Sequence, residues 1–444
     1  MTVAIIGAGM AGLVAARELH AAGVDVEIFE ARDRLGGRAF DIPAHGWIPL
    51  QLGCEFVHGR PPELIELLRR ARLPLAPISD VHHQLRDGRL EPIDDIWERF
   101  GTLLKPAARR RRDESAWSYL EEQRMRDDDR RMFAMLVEGF YAAALDDISI
   151  QSVAGDASAS GDEATQARVR GGYGALVAWL AREITGVPIH LGHAVRSIDW
   201  TTKHVRVDGR EFDQVIVTVP VGVLRDIAFT PPLDEPVDVI AMGPVVKLLV
   251  CLRDARTIPR ELEFVHGGER GFPTYWVRSA YNAHVLTAWA GGPHAEALAG
   301  CLEDELLARA IDGFERLTGA SGLRDAVVDH HHHDWQLDPF AKGAYSYTRV
   351  GGMHAAEELA KPLGERVWIA GEATSAEYEG TVAGAIESGL RAAREVLALG
   401  VASAAVRREA DERRDADDNE QQDAEPEKGN HTGAWCTGRA AHPA

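Results

Sequence analysis

Two groups of residues in this chain have types and spacing suited to chemistry. The first is Gly7-Ala8-Gly9-Met10-Ala11-Gly12, which follows the apolar run Val3-Ala4-Ile5-Ile6, with Glu30 closing the next apolar run, Val26-Glu27-Ile28-Phe29. That spacing describes a strand, a tight turn and a helix, then a second strand ending in a carboxylate. Gly7 permits the turn, Gly9 lets a pyrophosphate approach the backbone, and Gly12 lets the helix lie close to the strand. Free N–H groups at the helix start attract phosphate, and Glu30 is placed to hold a ribose hydroxyl pair. With strand, helix and acid in register, the motif predicts a bound dinucleotide. The second group centres on Lys247 in Val245-Val246-Lys247-Leu248-Leu249-Val250, where burying an ammonium is costly. Such a lysine either faces solvent from an edge strand or serves a site that needs its charge. Later, Tyr345 and Tyr347 share one face of a strand, since side chains alternate.

The elements that position these groups are legible in outline. Arg34-Leu35-Gly36-Gly37-Arg38 is a glycine-hinged turn, and Gln51 to Gly59 reads as a short strand entering a loop. Pro61-Pro62 opens a helix through Leu64, Leu67 and Leu68. From about 77 to 167, Arg-rich and Asp-rich helical stretches replace the dinucleotide-domain texture. Gly171-Gly172-Tyr173-Gly174 precedes a helix, and strands follow near 194–200, 204–207 and 215–219. Residues 233–361 alternate strands (245–252, 285–290) with a helix near 302–317. A last strand at 367–370 meets Gly371-Glu372. The helix after it carries Val382, Ile386, Leu390, Ala393 and Leu397 on one stripe. The fold class predicted is therefore α/β. A Rossmann-like, discontinuous dinucleotide-binding domain (1–76, 168–232 and 362–400) interleaves with an α+β substrate domain (77–167 and 233–361) built on a mixed sheet and helices. Residues 401–444 form an acidic tail expected to be disordered.

The chain has 444 residues, enough for two cores, and its net charge of −20 argues against nucleic acid or an anionic membrane as a partner. Residues 409–428 alone hold ten acids against three bases. The four cysteines form no C-x-x-C pair, no apolar run is long enough to span a membrane, and Met1-Thr2 leads straight into the first strand. Together these predict a reduced, cytoplasmic setting without a cleaved signal. His330 to His333 cannot all face one ion along a strand, so the run reads as a polar loop and no metal is expected.

Taken together, the segments resemble the flavin-dependent amine oxidase family of monoamine oxidases, polyamine oxidases and lysine demethylases, over nearly all of 1–400. The resemblance rests on the glycine motif, Leu35 to Arg38, Gly53 to Gly59, Gly171-Gly172-Tyr173, Val217 to Leu224, Lys247, Gly343 to Tyr347, and Ala370 to Ser375 through Gly384. It implies FAD, not NAD, held without a covalent bond, because Ala344 stands where monoamine oxidases carry the flavin-linked cysteine. It further implies that Gly36, Gly37 and Arg38 clamp the pyrophosphate, that Val195 meets the adenine through its backbone, that Arg32 also binds the cofactor, and that Gly371-Glu372 serve the ribityl or pyrophosphate region. The N–H groups at Val382, beside Thr381, would face the reduced flavin. By the same resemblance Lys247 holds a water beside flavin N5, and Tyr345 is one wall of an aromatic cage, where a ring face attracts a cation or packs an alkyl chain. Thr381 replaces the second wall and leaves that cage half open. His58 contacts substrate or shuttles a proton, and Trp335 lines the floor.

The activity so implied is hydride removal from the carbon beside an amine nitrogen, then imine hydrolysis, with O2 reoxidising the flavin to H2O2. Small amines are the expected substrates. Glu55, Glu138 and Glu377 are candidate acids for polyamine recognition. Two alternatives remain open at this level: a flavin-dependent desaturase or oxidase of carbon skeletons, and a flavin-binding scaffold without turnover.

Overall fold

A computed structural model describes residues 1–79, 81–86, 88–159, 166–233, 237–254, 256, 258, 262–267, 271–280 and 283–400. The acidic tail 401–444, for which disorder is expected, lies outside the described residues. No helix among the described residues is long and apolar enough to cross a membrane.

One sheet is wholly parallel and draws strands from distant parts of the chain. Its order is Ile189–His190, Asp25–Phe29, Thr2–Ile6, Gln214–Val217 and Val367–Ile369. The central strands are nearly continuous Val, Ile and Ala, and both their faces are buried, as a parallel sheet under helices requires. The helix Met10–Ala21 leaves the first strand through the glycine turn. The last helix, 382–400, presses Ile386, Leu390 and Ala393 into the core, and a Cβ at its Gly389 would stand 2.4 Å from the Ala11 carbonyl oxygen. The first and last helices therefore touch backbone to backbone.

A second sheet of seven strands is mixed. Its order is Val327–His332, Val245–Leu252, Ala283–Gly291, Thr274–Ala280, Phe264–His266, His82–Arg86 and Arg89–Ile93. All its pairs are antiparallel except Phe264–His266 with His82–Arg86. The helix Glu303–Thr318 covers one face through Leu306, Ala310, Ile311 and Phe314. Helices Ile96–Leu104, Ala116–Glu122, Asp127–Phe140 and Ile150–Ala159 form a separate apolar cluster that also takes in Tyr347. Their arginines pair with acids, Arg99 with Asp129 and Arg130 with Glu121, so these basic runs are solvated, salt-bridged faces.

Three local expectations change. The hairpin 82–93 falls in a stretch read as helical. Its strand His82-His83-Gln84-Leu85-Arg86 has no apolar alternation, although Asp87-Gly88 is a two-residue turn signal. Gln51 to Gly59 is not one strand running into a loop: Ile48–Gln51 ends a hairpin, and Phe56–His58 starts a separate pairing with Gln166–Val169. The histidine run is not a loop either. His330 to His332 close an edge strand, with Leu248 opposite His332, while His330, His331 and His333 sit against Asp304, Asp329 and Asp338. Among the described residues no cluster of His, Cys, Asp or Glu is arranged to hold a metal.

Candidate active site where two cavities meet

The carboxyl edge of the parallel sheet opens into a cavity of about 460 Å³. Gly7, at φ +103°, turns the chain there, and Thr218 pins the turn by donating to the carbonyls of Ile6 at 2.9 Å and Gly7 at 3.1 Å. A Cβ on Gly12 would sit 2.0 Å from the Gly7 oxygen, whereas one on Gly9 meets nothing within 4 Å. Gly12 is thus reserved for backbone, and Gly9 borders open space at a helix start. Gly36 donates to the Ala8 carbonyl at 2.8 Å, laying the Gly36-Gly37 turn on the first one. That open space, bounded by helix N–H groups, fits a pyrophosphate.

Charged residues brace the same cavity. Glu30 is buried, and it accepts from Ala8 N at 2.7 Å and Arg32 N at 2.9 Å, so it anchors the glycine turn as well as facing the cavity. Arg32 pairs with Asp338 at 2.7 Å. Burial alone would raise the Asp338 carboxyl, but hydrogen bonds from His333 and Arg32 hold it below the usual range. Arg38 donates to Glu372 at 2.7 Å and to the Ala344 carbonyl at 2.9 Å. The other Glu372 oxygen accepts from Ser346 Oγ at 2.6 Å and Gly380 N at 3.0 Å. Val195 and Gly371 also line this cavity. Because Arg38 lines this cavity and braces Glu372 and Ala344 with only one nitrogen of a planar, multi-donor guanidinium that lysine lacks, Arg38→Lys should weaken FAD retention roughly tenfold. Titration of apoprotein with FAD checks this; unchanged affinity would remove Arg38 from the cofactor site.

A second cavity, of about 410 Å³, has aromatic walls that include Trp97, Phe140, Tyr141, Trp276 and Tyr347. Lys247, Tyr345, Thr381, Val382, Trp289 and Cys54 line both cavities and so mark where they meet. Lys247 is only 2% exposed, on an interior strand and not an edge. Its Nζ donates to Glu55 at 2.8 Å and to the Gly53 carbonyl at 3.1 Å. Burial would raise the Glu55 carboxyl, but the charges of Lys247, Arg168 and Arg278 and the bond from Lys247 hold it well below the usual range. Tyr345 donates to the Phe140 carbonyl at 2.8 Å, and burial raises its phenol above the ordinary value. Thr381 Oγ1 accepts from Gly384 N at 3.1 Å, capping the last helix where it enters the site. Burial pushes the Cys54 thiol up to about 12, so it stays protonated.

The remaining expected residues divide between the two spaces. His58 lines the aromatic cavity only, beside Phe140 at 5.3 Å, and burial pushes it down to about 4, leaving a neutral imidazole. Trp335 lines the cavity of about 460 Å³ at the sheet edge and not the aromatic one, and its Nε1 donates to the Leu52 carbonyl at 3.0 Å. Of the candidate acids, Glu55 lines the aromatic cavity but is taken up by cations, while Glu138 and Glu377 are not among the lining residues. Sequence reasoning passed over Glu379, which lines the cavity and accepts from Thr348 Oγ1 at 3.0 Å. It also missed the buried pair His82 and His266, 2.8 Å apart. Glu379 lies in the quoted stretch before Thr381, so its charge was the available signal. The histidine pair had none, because its partners are far apart in the chain.

Beside this cluster, Asp41 accepts from Gly174 N at 2.8 Å, its other oxygen has no partner, and burial raises its carboxyl to about 6. A raised carboxyl stabilises the fold while protonated, and that contribution is lost as pH rises through about 6. Between roughly pH 4 and pH 8, wild type should therefore lose on the order of 1–3 kcal/mol relative to Asp41→Asn. Urea unfolding of both proteins at the two pH values checks this; a difference independent of pH would contradict it.

The class this chain falls into is that of the flavin-dependent oxidoreductases. Residues 10–397 match the flavin containing amine oxidoreductases, and the chain belongs to that family, whose cofactor is FAD. It is 28% identical over 443 residues to polyamine oxidase 3 of Oryza sativa subsp. japonica, covering 88% of each chain. It is 26% identical over 491 residues to lysine-specific histone demethylase 1 homolog 3 of Arabidopsis thaliana, covering 89% of this chain and 30% of that protein. The structure of wild-type putrescine oxidase bound to putrescine shares the fold, with a TM-score of 0.78 at 21% identity over 90% of this chain and 99% of that one.

Proposed function

We propose that the enzyme oxidises a small amine at the carbon beside nitrogen, with the reacting carbon held where the two cavities meet. The observation that carries this reading is that Lys247, Tyr345, Thr381 and Val382 line both spaces. FAD, when bound, accepts the hydride at its ring N5 and passes the electron pair to O2, giving H2O2. The protein supplies the rest. Lys247 presents a cation at the ring end of the aromatic cavity, which opposes binding of a charged ammonium there and so selects the neutral amine. Tyr345 packs its ring against the substrate, and Thr381, too small for a second wall, leaves room for a bulky or secondary amine. The apolar walls keep water from the reacting carbon, and the imine hydrolyses once exposed. We infer further that the parallel sheet (1–76, 168–232, 362–400) organises the cofactor half and the mixed sheet with its helices (77–167, 233–361) the substrate half. We also infer that FAD is dissociable, since Ala344 offers no thiol.

The test is to supply FAD-loaded protein with primary, secondary and polyamines and to follow peroxide and aldehyde together. The expected result is equimolar peroxide and carbonyl product from at least one class. No peroxide from any amine, with turnover of an alkene-forming substrate instead, would replace this reading with the desaturase one.

A further inference from the structure

Lys247 does not hold its charge in isolation. It meets Glu55 at 2.8 Å, and Glu55 also accepts from Arg168 Nε at 2.7 Å and Trp276 Nε1 at 3.3 Å, with Arg278 Nη1 at 3.7 Å. Glu55 and Lys247 are 4% and 2% exposed. Three cations from three strands therefore converge on one buried carboxylate: Arg168 in Gln166–Val169, Lys247 in Val245–Leu252 and Arg278 in Thr274–Ala280. Asp41 and Cys54 also feel the Lys247 charge, Arg38 lies near Cys54, Tyr345 lines both cavities with the lysine, and His332 Nδ1 lies 3.0 Å from the Lys247 carbonyl oxygen.

The arrangement restricts a side chain that is otherwise flexible. A lysine ammonium is a point charge on a four-carbon stem and keeps no fixed direction by itself. Here two of its three N–H groups are taken, by Glu55 and by the Gly53 carbonyl. The third has no acceptor among the described residues, on a side chain that lines both cavities. Glu55 cannot follow Lys247 outward, because Arg168 and Trp276 hold its other oxygen.

We propose that Glu55 is the positioning residue for Lys247, fixing the ammonium at the flavin end of the substrate cavity through a carboxylate that Arg168 and Trp276 anchor. This rests on reading the meeting point of the cavities as the place of the flavin ring. It assigns no chemistry to Glu55 itself; the carboxylate acts through the lysine.

A double-mutant cycle tests it without turnover. FAD-loaded wild type, Glu55→Gln, Lys247→Met and the double variant are titrated with sulfite at one pH. The sulfite sulfur lone pair bonds to flavin N5 and the charge moves onto the ring, so the dissociation constant, read from loss of the visible flavin band, reports the local field. The flavin midpoint potential is measured on the same four proteins. Glu55→Gln should change the sulfite constant by about fivefold or more beside Lys247, and by less than about twofold in the Lys247→Met background, with the potentials following the same pattern. Equal effects in both backgrounds, or no effect in either, would overturn the proposal. If Glu55→Gln does not fold, Glu55→Asp, which withdraws the charge by one methylene, takes its place under the same criteria. Coupling without flavin reduction by any amine would leave the positioning role intact and remove the amine-oxidising one. Amine turnover without coupling would do the reverse.

Discussion

Lys247→Met is expected to lower amine turnover by about 100-fold or more while FAD stays bound. Methionine keeps the length of the stem but offers neither charge nor N–H to the space where the cavities meet. Breaking a buried ion pair ordinarily destabilises a protein because one charge is left uncompensated. Here Glu55 keeps Arg168 at 2.7 Å and Trp276 at 3.3 Å, so the carboxylate is not stranded. The loss should therefore appear in catalysis and not in folding. Steady-state rates, the holoprotein spectrum and thermal unfolding, measured together, separate the two. A variant that unfolds or loses FAD would show that Lys247 is a structural cation, and one with undiminished turnover would remove it from the reaction.

Gly12→Ala should abolish FAD retention and destabilise the fold by roughly 3 kcal/mol. The new Cβ would lie 2.0 Å from the Gly7 carbonyl oxygen and 2.9 Å from Thr218 Oγ1. The nearer obstacle is backbone, which cannot rotate away, so the helix start and the turn must separate. Gly9→Ala is the control. Its φ is −74° and its Cβ would meet nothing within 4 Å, so the apoprotein should be as stable as wild type. The added methyl would instead occupy the space through which a pyrophosphate approaches, and FAD affinity should fall. Thermal unfolding of the two apoproteins and titration with FAD distinguish them. Equal stability of both apoproteins would show that Gly12 is not required for packing.

The parallel sheet and its glycine turn were legible because their signals are local. Two five-residue strands, Thr2–Ile6 and Asp25–Phe29, flank the turn, and three glycines and an acid lie within that one strand–helix–strand unit, whereas the two-residue edge strand Ile189–His190 carries no such signal. The strand 245–252 was legible for the same reason, but the partner of its lysine was not. Glu55 lies 192 positions away and joins Lys247 only once two sheets have formed. A charged residue in an apolar run announces that a partner exists without naming it. The hairpin 82–93 escaped because its two histidines, of which His82 lines the cavity, and its arginines do not alternate with apolar residues. The aromatic walls escaped because Trp97, Phe140, Trp276 and Trp289 come from separate elements, and nothing in their spacing distinguishes a cavity wall from ordinary core. Trp335, expected on the floor of the site, lines the cavity of about 460 Å³ that Lys247, Tyr345 and Thr381 also line and not the aromatic one, a division its neighbourhood in the chain does not specify.

A crystal structure of the FAD complex soaked with a slowly oxidised amine addresses the central claim most directly. The expected density has the ring's N5 edge within reach of Lys247 Nζ, directly or through one water, and the amine between that edge and Tyr345. A ring bound away from Lys247, or an amine held outside the aromatic cavity, would contradict it.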